Sequence, residues 1–334
     1  MSKWQYTKGL HEIGNGNYAY LLPNGSWGWS NAGLIIDGDQ SLLVDTLFDE
    51  KLTAEMLAVM KDATGIGGGD VTTLVNTHAN GDHTFGNRLV TNAEIIASKE
   101  GSEEMDELPP QAVAEMMRNA PNMGEVGEFL IDIFKGFDFE GITLKKPTRT
   151  FHGKLDLKVG HKDVHLIEVG PAHTRGDTLV YVPEDKVIYT GDILFIGGTP
   201  IIWAGPVGNW IKACEYMLTL DVDVVVPGHG PITDKAGVRQ VRDYLSFVHD
   251  EARKRFDAGM SFEDAAFDIA LGEFGKWTDT ERLVVNIYSL YKEFRGVEEH
   301  PDYMALFGIM SRFRRRERMT CEKHDHAGCA HDHS

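Results

Sequence analysis

The chain has 334 residues, 42% of them apolar and 25% charged, the composition of an ordinary globular protein with room for one large core and an appendage. A formal net charge of -18 repels phosphates over most of the surface, which argues against a nucleic-acid partner. The start, Met1-Ser2-Lys3-Trp4-Gln5-Tyr6, lacks the apolar core of a signal peptide, and no apolar run reaches the length of a membrane span. The expectation is a cytoplasmic protein with no membrane partner.

In chain order, Tyr18 to Leu22, Ala32 to Ile36 and Ser41 to Asp45 read as short strands separated by Gly- and Asn-rich turns, an antiparallel meander. Lys51 to Ala63 carries helical spacing at Leu52, Met56, Val59 and Met60, and Val71 to Asn76 is an apolar strand. From Ser98 to Lys145 come Pro109-Pro110, four methionines and the aromatics Phe129, Phe134, Phe137 and Phe139, read as helices inserted between strands. A second strand-rich half follows, over 148–152, 155–159, 165–168, 178–182, 186–190 and 222–226, with a helix at Trp210 to Leu220. Two such halves predict two packed sheets with helices outside, an αββα sandwich.

Beyond Val238 the pattern is helical to about Arg316, with caps expected at Ser261 and near Thr278. This divides the chain into a main domain over 1–238 with a helical insertion near 98–145, a helical extension over 239–316, and a His/Cys-rich tail over 317–334. The tail has no apolar periodicity and is expected to be disordered, although Cys321, His324, His326, Cys329, His331 and His333 stand at chelating spacing. Cys214 reads as a small buried hydrophobe in a helix, and the three cysteines give no disulfide framework.

The chemistry concentrates where strands end. Val71 to Asn76 runs into Thr77-His78-Ala79-Asn80-Gly81-Asp82-His83, four potential metal ligands in one short loop. Gly170-Pro171-Ala172-His173, Thr190-Gly191-Asp192 and Pro227-Gly228-His229-Gly230 each end a strand in one further ligand type among small residues. Glycine and proline there let the backbone bend sharply and approach a compact site, which an ordinary core histidine does not need. Imidazoles and carboxylates together suit zinc, iron or manganese. No Gly-x-Ser-x-Gly elbow, phosphate loop or dinucleotide fingerprint is present.

The series His-x-Asn-x-Asp-His, Ala-His-Thr-x-Gly-Asp, Thr-Gly-Asp and Pro-Gly-His-Gly resembles the metallo-β-lactamase superfamily over roughly residues 10 to 240. The resemblance implies the αββα fold and a metal-dependent hydrolase. It also implies that His78, Asn80 and His173 hold a first metal, that Asp82, His83 and His229 hold a second, and that Asp192 bridges them. The family usually has His at the place of Asn80, and an amide oxygen is the weaker donor to zinc, so the first position is expected to be weakened or empty. The Asn resembles a branch that includes hydrolytic dehalogenases of chlorinated aromatics, which use a single zinc.

The cofactor expected is therefore one or two Zn2+ ions, with iron or manganese as alternatives. Asp82 or Asp192 is expected to orient the attacking water and take its proton. Asp45 resembles the Val-Asp-Thr position of the family, either as an anchor for the His78 loop or as a turn cap. Trp27, Trp29, Trp203 and Trp210 lie in or beside loops at the strand ends. The first three are expected to wall a pocket for a small apolar or aromatic substrate bearing an ester, lactone, amide or carbon–halogen bond. Competing readings are an iron-dependent oxidoreductase on the same fold and a non-catalytic metal-binding protein. The apolar extension also admits a homodimer.

Overall fold

The computed structural model describes residues 4–297 and 301–324. The first sheet orders β1 (Gly9–Gly14), β2 (Asn17–Leu21), β3 (Ala32–Asp37), β4 (Gln40–Val44), β5 (Thr73–Val75), β6 (Glu94–Ser98) and β7 (Arg149–Phe151) side by side. It is antiparallel from β1 to β4 and parallel from β4 to β7. The second sheet contains β8 (Lys154–Val159), β9 (Lys162–Glu168), β10 (Thr178–Val182), β11 (Val187–Tyr189) and β12 (Val224–Val226), antiparallel except for the last pair.

Successive strand residues point to opposite faces, and here both faces are covered. Leu42, Val44, Val75 and Ile96 of the first sheet meet Leu166, Val180, Tyr189 and Val226 of the second in one inter-sheet core. Their neighbours Leu43, Leu74 and Ile95 face outward against α1 (Glu50–Thr64) through Met56 and Met60. On the far side, Leu179, Ile188 and Val225 pack under α6 (Val207–Thr219), α7 (Lys235–Asp257) and α9 (Leu283–Arg295). This is the αββα layering, and double coverage explains why the strands read as unbroken apolar runs.

Between α1 and α6 lie the single turn α2 (Gly81–Thr84) and the insertion helices α3 (Lys99–Glu104), α4 (Pro110–Asn119) and α5 (Gly124–Phe134). After α7 come α8 (Phe262–Asp268), then α9, then α10 (Tyr303–His324). No helix among the described residues is long and apolar enough to cross a membrane.

Several boundaries differ from the sequence reading. β1 and β6 are additional to it: β1 is an edge strand whose half-exposed GLHEIG hides its alternation, and the apolar run of β6 is too short to declare a period. The expected domain limit at Val238 falls inside α7, because Asp234 caps that helix by accepting from Ala236 N at 2.6 Å, and Val238 and Val241 join the same core as Val225. Ser261 caps α8 through Asp264 N (3.1 Å). Near Thr278 there is no such cap, since Asp279 takes a left-handed φ of 58° and a short 3-10 turn precedes α9. α10 continues past Arg316 to His324, and residues 325–334 of the His/Cys-rich tail lie outside the described residues.

Asn31 holds the two halves in register at the functional end. Its amide donates to Pro227 O (3.0 Å) and Gly230 O (2.8 Å) and accepts from Leu22 N (3.3 Å), all in the interior. Asn31→Ala leaves three buried backbone groups unpaired and is expected to cost about 3 kcal/mol. A urea unfolding curve should show a lower midpoint with an unchanged slope.

Candidate metal centre

Several loops that leave the sheets at one end of the sandwich contribute to one cluster. Asp45 follows β4, His78 follows β5, Asp192 follows β11 and His229 follows β12, while Asp82 and His83 sit on α2 and His173 in the loop between β9 and β10. Gly191 and Gly228 permit the convergence: a Cβ on Gly228 would lie 2.0 Å from Asp192 Oδ1, and one on Gly191 would lie 2.3 Å from Thr77 Oγ1.

Asp45 organises the cluster from beneath. Buried, with a φ of 63°, it accepts Thr77 N on Oδ1 (2.7 Å) and both Thr77 Oγ1 (2.7 Å) and His83 Nδ1 (2.9 Å) on Oδ2. Because the Thr77 hydroxyl donates to Asp45, its oxygen is left to accept from His78 Nδ1 at 3.0 Å. Two more imidazoles are pinned by backbone carbonyls, His173 Nδ1 by Ile201 O (2.7 Å) and His229 Nδ1 by Gly25 O (3.0 Å). Each Nδ1 therefore carries the proton, and each Nε2 presents a lone pair to the centre.

The inward atoms fit a cation. His78 Nε2, His83 Nε2 and Asp192 Oδ1 are buried without a hydrogen-bond partner, a costly state unless something else pairs with them. Two groups, His78 with His83 and Asp192, and Asp82 with His83 and His229, each bring their ligand atoms within 4.8 Å of one another. Donors about 2.0–2.1 Å from a tetrahedral ion stand about 3.3 Å apart. Here His229 Nε2 is 3.3 Å from Asp82 Oδ2 and 3.4 Å from Asp192 Oδ2, and His83 Nε2 is 3.1 Å from Asp192 Oδ1 and 3.8 Å from Asp82 Oδ2.

The other side is different. His173 Nε2 lies 3.3 Å from Asp192 Oδ2 but also 2.9 Å from Asn80 Oδ1. Both are acceptors in this tautomer, so the contact is favourable only with a cation between them or with the Asn80 amide turned to donate.

Charge in the metal-free cluster follows burial and pairing. Burial holds His78 well below its ordinary value, and also lowers His173. Burial opposes charge on His229 as well, yet Asp192 and Asp82 outweigh it and raise the imidazole to about 9. His83 is likewise raised against burial by Asp192, Asp82 and Asp45. Burial works to raise Asp82, but His83 and His229 bring it to about 2, and the same imidazoles hold Asp192 low.

Above the cluster lies a cavity of about 300 Å³, with Asn80, Asp82, His173, Asp192 and His229 at its floor. Its walls are apolar and aromatic, drawn from Trp27, Phe48, Phe85, Phe134, Phe195 and Trp203 among others. Trp29 is not among them: Gly28, at a φ of 74°, turns the chain after Trp27, and the Trp29 ring packs 4.7 Å from Phe137 instead. Trp210 is fully buried, donates Nε1 to Ile193 O (2.9 Å) and meets His173 edge-on. Sequence reasoning missed Phe195, which stacks on His229 at 5.0 Å, and Arg282 and Phe307, which reach the cavity from the extension. No motif marks any of the three.

Residues 25–229 match the family model of the metallo-beta-lactamase superfamily. The chain belongs to the metallo-beta-lactamase superfamily. Among curated proteins this superfamily member is similar to the alpha subunit of 2,4-dinitroanisole O-demethylase from Nocardioides sp. (strain JS1661), 34% identical over 88 residues that make up 25% of this chain and 26% of that one. Its fold is similar to that of a stereoselective inverting sec-alkylsulfatase from Pseudomonas sp., with a TM-score of 0.66 at 16% identity over 87% of this chain and 51% of the sulfatase. A metallo-beta-lactamase family protein from Thermus thermophilus gives 0.60 at 18% identity, covering 84% of this chain and 94% of that one. The match thus spans 26% of the length of the demethylase subunit and 51% of that of the sulfatase. At 16% and 18% identity, the likeness to these solved structures is one of fold.

His83 and His229, both raised above the ordinary imidazole value by the facing carboxylates, must each shed a proton to bind a cation, so affinity should rise with pH beyond neutrality; chelator competition at several pH values measures this. Asp45→Ala removes the acceptor behind both His83 and Thr77 and should weaken the cation by about 10–100-fold, read by the same competition.

Proposed function

We propose that the protein hydrolyses a small, uncharged apolar or aromatic substrate with water activated at a single high-affinity zinc position formed by Asp82, His83, Asp192 and His229. The observation that carries this reading is the aromatic-walled cavity whose floor is the ligand cluster. Zinc is favoured because imidazole nitrogen and carboxylate oxygen at near-tetrahedral spacing suit it. His78, His173 and Asn80 form the weaker position, in which Asn80 supplies an amide where an imidazole would bind better.

When bound, the cation supplies Lewis acidity and lowers the pKa of water to about 7. The residues do the rest. Asp82 is the more open of the two inward carboxylates, with a side-chain exposure of 14% against 4% for Asp192, so it orients the attacking water at the cavity floor. As the bond to the leaving group breaks, the Asp82 carboxylate oxygen not engaged with the cation would take the proton of that water. Trp27, Phe48 and Phe134 exclude bulk water and hold the ring or chain of the substrate.

Esters, lactones, amides and aryl–halogen bonds all suit this arrangement. The similarity to the O-demethylase subunit adds aryl methyl ethers of electron-poor arenes. A cytoplasmic location accords with the same reading.

Stripping the protein with a chelator and screening such substrates before and after zinc return tests the proposal. Turnover should vanish on stripping and come back with about one equivalent of zinc, since only one of the two positions is free of the weaker Asn80 amide donor. Full turnover without any cation would refute it. Asp82→Asn should lower kcat by about 10²-fold or more, the order seen when a positioned base is lost.

A further inference from the structure

The family match ends at His229, while the chain goes on through α7 to α10. That later part takes hold of the two supports on which His229 rests. One support is Gly25 O, which accepts His229 Nδ1, and the other is the Phe195 ring, stacked on the imidazole with an interplanar angle of 5°.

Ser26, next to Gly25, donates its hydroxyl to Asp279 Oδ1 at 2.7 Å, and Trp27 donates Nε1 to Glu281 Oε1 at 2.8 Å. Arg282 places its guanidinium carbon 4.4 Å from the Trp27 ring centre and 5.3 Å from that of Phe195. It donates to Thr199 O at 3.0 Å and pairs with Asp279 at 3.3 Å. Arg314 of α10 closes the group on Glu281 and, at 2.9 Å, on Asp132. Side-chain exposures of 5% for Asp279, 3% for Glu281 and 3% for Arg282 put these charges in the interior. There, removing one partner is expensive and geometry is sharply defined.

A bland role exists for such a cluster: it docks helices onto a sheet. Its contacts are more particular than that, because they fall on Ser26, Trp27 and Phe195, the residues flanking or stacking on one metal-ligand candidate.

We propose that Asp279, Glu281 and Arg282 are positioning residues that fix His229 through the Gly25 carbonyl and the Phe195 ring, so that the C-terminal extension is a working part of the cation site. The inference rests on the reading of His229 as a ligand. Arg282 holds the outer faces of Trp27 and Phe195 together, Asp279 fixes the loop that carries Gly25, and Glu281 fixes the indole beside it.

The test uses the full-length protein, stripped of metal. Zinc affinity is read by competition with a chromophoric chelator, ligand geometry from the visible spectrum of the cobalt(II) form, and stability from the melting temperature of the metal-free protein. Arg282→Met should weaken zinc by about tenfold, as loss of an outer support of a ligand does, and should alter the cobalt bands. Arg282→Lys keeps the charge without the planar fork and should recover part of both. Ser26→Ala should shift affinity in the same direction by a smaller factor. Arg255→Met cuts an extension ion pair with Asp268 far along α7 and should lower stability while leaving affinity and spectrum unchanged.

Wild-type affinity and spectrum in both Arg282→Met and Ser26→Ala would overturn the inference. So would an Arg255→Met variant that loses as much affinity as Arg282→Met for the same drop in melting temperature. Should Arg282→Met fail to fold, Arg282→Lys and Ser26→Ala decide by the same criterion. A wild-type protein that takes up no cation sinks the metal reading and this inference together, whereas wild-type uptake with unaltered variants sinks this inference alone.

Discussion

The site depends on four imidazoles whose outer nitrogens are already bonded. Ile201 O, Gly25 O, Thr77 Oγ1 and Asp45 Oδ2 take the Nδ1 protons of His173, His229, His78 and His83. The tautomer and the ring plane of each are thereby set before any ligand arrives. What remains is a set of buried lone pairs facing buried carboxylates. Without a cation this is poor electrostatics: His83 and His229 must hold protons to neutralise Asp82 and Asp192. The cluster is shaped for positive charge at its centre, and protons are the inferior substitute.

The sandwich exists, functionally, to keep those outer acceptors still. Asp45 and Thr77 follow adjacent parallel strands, β4 and β5, so their mutual distance is set by the ladder and not by a loop. Asp192 and His229 follow β11 and β12, the one parallel pair of the second sheet. Gly228 N donates to Gly191 O at 2.8 Å and so ties those two ends together. Asn31 then links the first sheet to the β12 end. The C-terminal extension adds to the enclosure, since Arg282, Tyr303, Met304 and Phe307 line the cavity.

The sequence disclosed the ligand types well because each stands at a strand end among residues that only a tight backbone needs: Asn80-Gly81, Gly191 and Pro227-Gly228. Those side chains do lie in one cluster. The double-sided burial also made most strands legible as apolar runs. Other features left no trace. β1 and β6 were hidden by edge exposure and shortness, and Trp29 could not be separated from Trp27 because the turn at Gly28 decides which way each indole faces. Glu281 and Arg282 lie just after the cap expected near Thr278 and carry no motif of their own. Glu281 pairs with Trp27 and the neighbouring Asp279 with Ser26, each about 250 residues away along the chain, and such contacts carry no local signal in a single sequence.

The central claim is that a divalent cation sits among Asp82, His83, Asp192 and His229. Crystals of zinc-loaded protein measured on either side of the zinc absorption edge locate that ion directly. The account predicts an anomalous peak about 2.0–2.2 Å from Nε2 of His83 and His229 and from a carboxylate oxygen of each aspartate. An empty map at that point, or a fully occupied peak elsewhere in the molecule with these side chains unengaged, would contradict it.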